Sequence, residues 1–155
     1  MRHVVLHALA KGLTPADVYR RISDFGRYPQ YSDVFHEVRV EPPLPDGSTL
    51  SDWTVEFRGG LMRWRERDTY SPETHSLAFE QLSGDFQTFE GGWRCEPQDG
   101  GTLVVFTAAF DLGIPSLAEI LDPVAESTVT TNIARVLRGL ADAEVIDEHA
   151  TAARG

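Results

Sequence analysis

The sequence predicts an α+β domain: a seven-stranded, curved antiparallel sheet wrapped around one long C-terminal helix, with two short helices between strands one and two. Three observations carry this. Residues 34–112 hold six segments rich in aromatic and β-branched residues, separated by clusters of Gly, Pro, Asp and Ser. Asp122-Pro123 then opens a run in which Val129, Ile133, Val136, Leu137 and Leu140 recur at helical spacing. Finally, an antiparallel sheet has one face to bury, and a single amphipathic helix can cover it.

Taken in order, residues 3–11 read as the first strand. Gly12-Leu13 breaks it, and Thr14-Pro15-Ala16-Asp17 is a helix start: Thr14 as N-cap, Pro15 at the first helical position, Asp17 where the helix dipole favours a negative charge. Val18, Tyr19 and Ile22 form that helix's apolar face, and residues 27–31 read as a second short helical turn. Strands are expected at 34–40, 50–58, 61–70, 75–82, 87–96 and 102–112, with Gly91-Gly92 read as a bulge. In the last helix Asp122 is the expected N-cap, because its carboxylate can accept from free first-turn amides, and Pro123 follows it at the first position. Ser127, Thr128, Thr130, Thr131 and Asn132 lie beside the apolar stripe, and a helix laid over a ligand cavity could use such groups. Residues 1–146 form one expected domain and 147–155 a frayed tail.

The chain has 155 residues, 41% of them hydrophobic and 25% charged, an ordinary balance for one globular domain. A net charge of -10 argues against nucleic acid as partner, since phosphate binding needs a cationic surface. Cys95 is the only cysteine, which excludes an internal disulfide and speaks against a thiolate metal site. No metal or cofactor is expected. No apolar stretch approaches the length of a membrane span and no signal peptide opens the chain, so the expected location is cytoplasmic.

Gly59-Gly60 permits a register to be written. A two-residue hairpin loop pairs Arg58 with Leu61, hence Phe57 with Met62, Val55 with Trp64, Trp53 with Glu66 and Ser51 with Asp68. The alternate face then sets Glu56 against Arg63 and Asp52 against Arg67, opposite charges suited to solvent. Trp53, Val55, Phe57, Met62 and Trp64 therefore face the core, and Glu66 and Asp68 go with them. Carrying the register onward adds Leu77, Phe79 and Gln81, then Phe89, Trp93 and Cys95. An inward carboxylate requires a partner, a raised pKa or a wet cavity, because an isolated ionised carboxylate in an apolar core is very costly.

Phe25-Gly26-Arg27-Tyr28-Pro29, Trp64 in its strand, Gly84-Asp85-Phe86 leading to Glu90-Gly91-Gly92-Trp93, and Asp111-Leu112-Gly113-Ile114-Pro115 occur in an order that resembles the START-like helix-grip superfamily, in particular its polyketide aromatase/cyclase and coenzyme-Q-binding branch. The resemblance covers residues 3–146. It implies a cavity between sheet and helix that folds, cyclises and dehydrates a poly-β-ketone held on an acyl carrier protein; a second role within the superfamily is non-catalytic carriage of a quinone, lipid or other hydrophobic ligand. An inward arginine of the family pattern falls at Asp68 here, with Arg67 on the other face. That departure leaves Glu66 and Asp68 as the groups able to move protons, with Tyr31, and beside it His36, as further candidates near the cavity mouth. Trp53, Phe57, Trp64, Phe79, Gln81, Trp93, Thr128 and Asn132 are the expected substrate-binding residues.

Overall fold

A computed structural model describes residues 1–57, 60–112 and 118–152, without the side chains of Phe57, 118–125 and 147–152. The elements run β1 (Arg2–Lys11), α1 (Pro15–Ile22), a 3-10 helix (Phe25–Gln30), β2 (Phe35–Val40), β3 (Thr49–Phe57), β4 (Gly60–Ser71), a 3-10 turn (Pro72–Thr74), β5 (Ser76–Gly84), β6 (Thr88–Gln98), β7 (Gly101–Asp111), α2 (Ala118–Ala141) and β8 (Glu144–Ala152). One eight-stranded sheet has the order β2-β3-β4-β5-β6-β7-β1-β8. Its ladders are antiparallel throughout. Its concave face, α1 and the second half of α2 share the main core, where Val18, Ile22, Val136 and Leu137 are fully enclosed.

Local chemistry explains the short elements. Thr14 caps α1, accepting from the Asp17 amide while Asp17 reaches back to the Thr14 amide, and Pro15 stands inside the first turn. In the 3-10 helix, Phe25 and Tyr28 are buried, and the Tyr28 hydroxyl donates to the Ile22 carbonyl at 2.6 Å. Those two rings become the floor of the site.

Four expectations are corrected. The β3–β4 ladder pairs Phe57 with Gly60, Trp53 with Trp64, Ser51 with Glu66 and Thr49 with Asp68, two residues away from the expected register. An even shift leaves every side chain on its face. It also brings Trp53 opposite Trp64, whose rings stack at 5.8 Å and 3°, and Asp52 opposite Arg65, which it binds at 3.0 Å. Gly91-Gly92 is a close approach rather than a bulge: both ladders run through it in register, and a Cβ on Gly91 would lie 2.1 Å from the Thr107 carbonyl oxygen. The β4 bulge falls instead between Arg65 and Glu66.

The long helix starts at Ala118, not at Pro123, so positions 122 and 123 lie within it. Ala118, Glu119 and Leu121 are strong helix formers, and the helix runs through Pro123 although its missing N–H leaves one backbone hydrogen bond unmade. Finally, residues 144–152 pair with β1, giving an eighth strand where a tail was expected from 147. The open edge of β1 offers a row of unpaired amides and carbonyls, which this segment satisfies.

Candidate functional site

Between the concave sheet and α2 lies a cavity of about 100 Å³. Trp53, Val55, Met62, Trp64 and Glu66 enter it from the β3–β4 hairpin, and Phe79, Phe89, Trp93 and Phe106 from the central strands. Phe25 and Tyr28 of the 3-10 helix and Phe35 of β2 also line it, and Thr128, Val129, Asn132 and Ile133 cover it from α2. Aromatic rings dominate: Trp53 stacks on Trp64, Trp64 meets Phe86 and Phe89 edge-on at 5.4 and 5.3 Å, and Phe86 stacks on Phe89 at 4.7 Å. Exposed Glu56, 3.9 Å from His36, also borders the cavity and marks the hairpin end as its open side.

Among the described residues, the one buried acid in the wall is Glu66. Its Oε1 accepts from the Trp64 indole at 2.7 Å. Beside it, within hydrogen-bonding reach, is Asp68, fully enclosed but outside the cavity lining. Asp68 Oδ2 accepts from Ser51 Oγ at 2.6 Å and from Thr49 Oγ1 at 3.3 Å, while its Oδ1 is buried and meets no donor among the described groups. Burial pushes the Glu66 carboxyl well above the usual carboxylate range; the hydrogen bond and the charge of Asp68 push the same way, and only the Trp64 donor opposes them. Two such acids side by side do not both ionise cheaply, which favours the protonated form of Glu66. With Trp64 on Oε1, the oxygen left for the orphan Oδ1 of Asp68 or for a ligand in the cavity is Glu66 Oε2.

The expected site residues separate into three groups. Trp53, Trp64, Glu66, Phe79, Trp93, Thr128 and Asn132 all line the cavity. Asn132 is already satisfied, accepting from Ser32 Oγ and donating to the Thr128 carbonyl, so it braces α2 rather than offering a free donor. Gln81 is inward but does not line the cavity; its amide clamps Phe86, donating to the Phe86 carbonyl at 2.9 Å and accepting from the Phe86 amide at 3.2 Å. Tyr31 is also outside the lining: Arg27 donates to its hydroxyl at 2.7 Å, and its ring packs on Gly139, where a Cβ would sit 2.0 Å away. His36 is exposed, and the side chain of Phe57 lies outside the described residues.

Sequence reasoning missed Phe25, Tyr28, Phe35 and Phe86 as cavity walls and Thr49 as a partner of Asp68. Gly84-Asp85-Phe86 carried a signal for one of them. Gly84, at φ 145°, stands opposite Trp64 where a Cβ would lie 2.5 Å from the tryptophan, and Asp85 accepts from the Arg63 amide, so Phe86 is delivered over the cavity. Among the described residues no group of three or more His, Cys, Asp or Glu could hold a metal ion, and no helix is long and apolar enough to cross a membrane.

Residues 12–137 match the family described as polyketide cyclase/dehydrase and lipid transport. No curated protein matches the sequence. Among solved structures, a protein of Thermus thermophilus is similar with a TM-score of 0.80 at 26% identity, over 90% of this chain and 94% of that one. A START superfamily protein of Mycobacterium smegmatis gives 0.77 at 20% identity, over 92% and 98%. The Zhui aromatase/cyclase of a Streptomyces species gives 0.74 at 17% identity, over 92% and 93%; both of these likenesses concern the fold.

Proposed function

The chain belongs to the polyketide cyclase/dehydrase and lipid transport family, and from that premise we propose an aromatase/cyclase-type enzyme that folds, cyclises and dehydrates a carrier-bound poly-β-ketone. The observation supporting this reading is the place of Glu66: a buried carboxyl in the wall of an aromatic cavity, its pKa raised by that burial and its Oε1 held by Trp64. Aldol closure joins an enol carbon of the chain to one of its ketones. Glu66 Oε2–H then protonates the resulting hydroxyl, the C–O bond breaks and water leaves. The carboxylate so formed takes the proton of the adjacent carbon as the ring double bond forms, which restores the acid. Stacked Trp53 and Trp64 give a flat wall for the nascent ring. A dry apolar cavity of about 150 Å³ takes up benzene; the present one, at about 100 Å³, is smaller, so a ligand requires its wall to widen.

The experiment is cyclisation of a poly-β-ketone delivered on an acyl carrier protein, scored as the aromatic first-ring product against spontaneous shunt products. Glu66→Gln keeps size and hydrogen-bonding reach but cannot give up a proton, and is expected to cost on the order of 100-fold in cyclisation with substrate binding nearly intact. Wild-type yield from the glutamine variant sinks the enzymatic reading.

The near-continuous aromatic wall favours a second reading, a carrier of a quinone, lipid or other flat apolar ligand in which Glu66 only closes the polar end. Under either reading Thr128→Leu fills the α2 side of the cavity. Binding of a hydrophobic dye is expected to fall about tenfold while stability holds, and unchanged binding would remove this cavity as the binding site.

A further inference from the structure

Two donor chains in the polar patch behind the cavity end on Asp68, and a third ends on its neighbour Glu66. Trp53 Nε1 donates to Ser51 Oγ at 2.8 Å, and Ser51 donates to Asp68 Oδ2. Tyr70 and Thr49 hydroxyls are 2.8 Å apart, and Thr49 donates to the same Oδ2, so Tyr70 is the donor in that pair. Trp64 donates to Glu66 Oε1, and Glu66, two residues from Asp68 on the same face of β4, is the neighbouring acid nearest the buried Asp68 Oδ1, which meets no donor among the described groups. One of these chains leads outward. Along β4 the inward side chains run Met62, Trp64, Glu66, Asp68, Tyr70, from the cavity's open end past its wall, and half-buried Tyr70 lies beyond the lining.

We propose that Tyr70, Thr49 and Asp68 form a proton relay that connects Glu66 to solvent at the end of the sheet away from the cavity mouth. Each link is a hydroxyl or carboxyl that can accept a proton on one side and release one on the other. Inward transfer passes a solvent proton to Tyr70 oxygen as its own proton moves to Thr49. The Thr49 proton moves to Asp68 Oδ2, rotation of the Asp68 carboxyl carries it to the Glu66 side, and Asp68 protonates an ionised Glu66; outward transfer is the reverse, and no charge is left behind. The proposal rests on the cyclase reading only for what Glu66 does to a ligand. It answers a need of any plugged cavity: a β-diketone or phenol that enters or leaves as its anion changes the proton count by one, and an apolar occupant blocks water from correcting it at the mouth. Tyr28 is the other titratable side chain facing the pair, and its hydroxyl is committed to Ile22. Arg63, Arg65 and Arg67 stand on the opposite face of β4, and Tyr19, on α1, faces Tyr70.

The test is a stopped-flow pH jump followed by tryptophan emission, since the Trp64 indole reads the charge of Glu66 directly. It is run with the cavity empty and filled with 1-octanol, a neutral and non-fluorescent occupant. Wild type is expected to titrate, Glu66→Gln to lose that transition, and octanol to leave the wild-type relaxation rate unchanged. Tyr70→Phe and Thr49→Val, each keeping shape while removing a link, are expected to slow relaxation on the order of tenfold or more with octanol bound. Thr49→Ser is expected to rescue it, and Ser51→Ala, which loses a donor to Asp68 but no path, to relax at the wild-type rate. Wild-type rates in both Tyr70→Phe and Thr49→Val, or slowing of wild type itself by octanol, would overturn the relay. A transition that survives Glu66→Gln overturns the shared proton beneath it. None of these readouts requires cyclisation, so a working relay in a protein that cyclises nothing would discard the enzyme and keep the relay.

Discussion

Arg65 and Glu66 are neighbours in sequence and opposites in physics. On the convex face Arg65 binds Asp52 at 3.0 Å and Glu41 at 2.7 Å, with all three side chains between 35% and 41% exposed. On the concave face Glu66 and Asp68 share a buried patch with Ser51, Thr49 and two indoles. The outer cluster has the opposite charges and the better ion-pair geometry, yet water already solvates its members, so little depends on any one of them. The inner cluster sets two acids side by side away from water, so the polar atoms there depend on the few partners within reach. The polar residues that matter in this molecule are those with the fewest alternatives.

The largest difference between the faces is expected from removing one acid on each. Asp68→Ala strands the Ser51 and Thr49 donors in a buried site and is expected to destabilise the fold by about 2–5 kcal/mol, at about 1–3 kcal/mol for each stranded group. Asp52→Ala is expected to leave the urea midpoint unchanged. Equal midpoints for the two variants would show that water reaches the inner patch.

Next in size is a pH effect confined to the inner face. Because burial raises the Glu66 pKa in the folded state, the folded protein binds more protons than the unfolded chain between the two values. Its contribution is therefore fully present below the ordinary glutamate value of about 4.3 and is lost as pH rises through the folded one. Melting curves of wild type and Glu66→Gln should accordingly diverge over that window, with wild type losing ground as pH increases. A constant difference across pH would mean that Glu66 ionises as an exposed glutamate does.

The same contrast explains what was legible. Which face each β3 and β4 residue takes follows from period-two alternation, and it survived a two-residue error in register because parity is unaffected by an even shift. The partners were not legible, since the choice between Trp53–Glu66 and Trp53–Trp64 depends on stacking and on the Asp52–Arg65 pair across the sheet. Glu66 was readable as an inward acid by spacing from Trp64. Thr49 was not, because a threonine at a strand start looks the same whether it meets water or a carboxylate. Tyr31 sits close in sequence to cavity residues, yet Gly139 leaves a slot on α2 that draws its ring away from the lining. Helix start and last strand were misplaced for a related reason: Asp122-Pro123 is a strong local signal, whereas the pairing of 144–152 with β1 depends on an edge that only the folded sheet creates.

The smallest expected effect tests the outer cluster alone. Arg65→Gln removes the shared partner of Asp52 and Glu41 and leaves two carboxylates near each other, a pairing that should repel. Solvent and salt screen that repulsion: at about 0.15 M ionic strength charges separated by more than about 8 Å scarcely interact, and exposed pairs contribute little even in contact. The glutamine amide can still donate to one of the acids. The thermal midpoint is therefore expected to match wild type at physiological salt and to drop slightly at low salt, where screening is weak. Asp68→Ala should show no such salt dependence, because its cost is lost hydrogen bonding in a site that ions do not enter. A salt-independent loss in Arg65→Gln as large as that of Asp68→Ala would mean that the convex face is not governed by water, and the contrast between the two faces of β4 would fail with it.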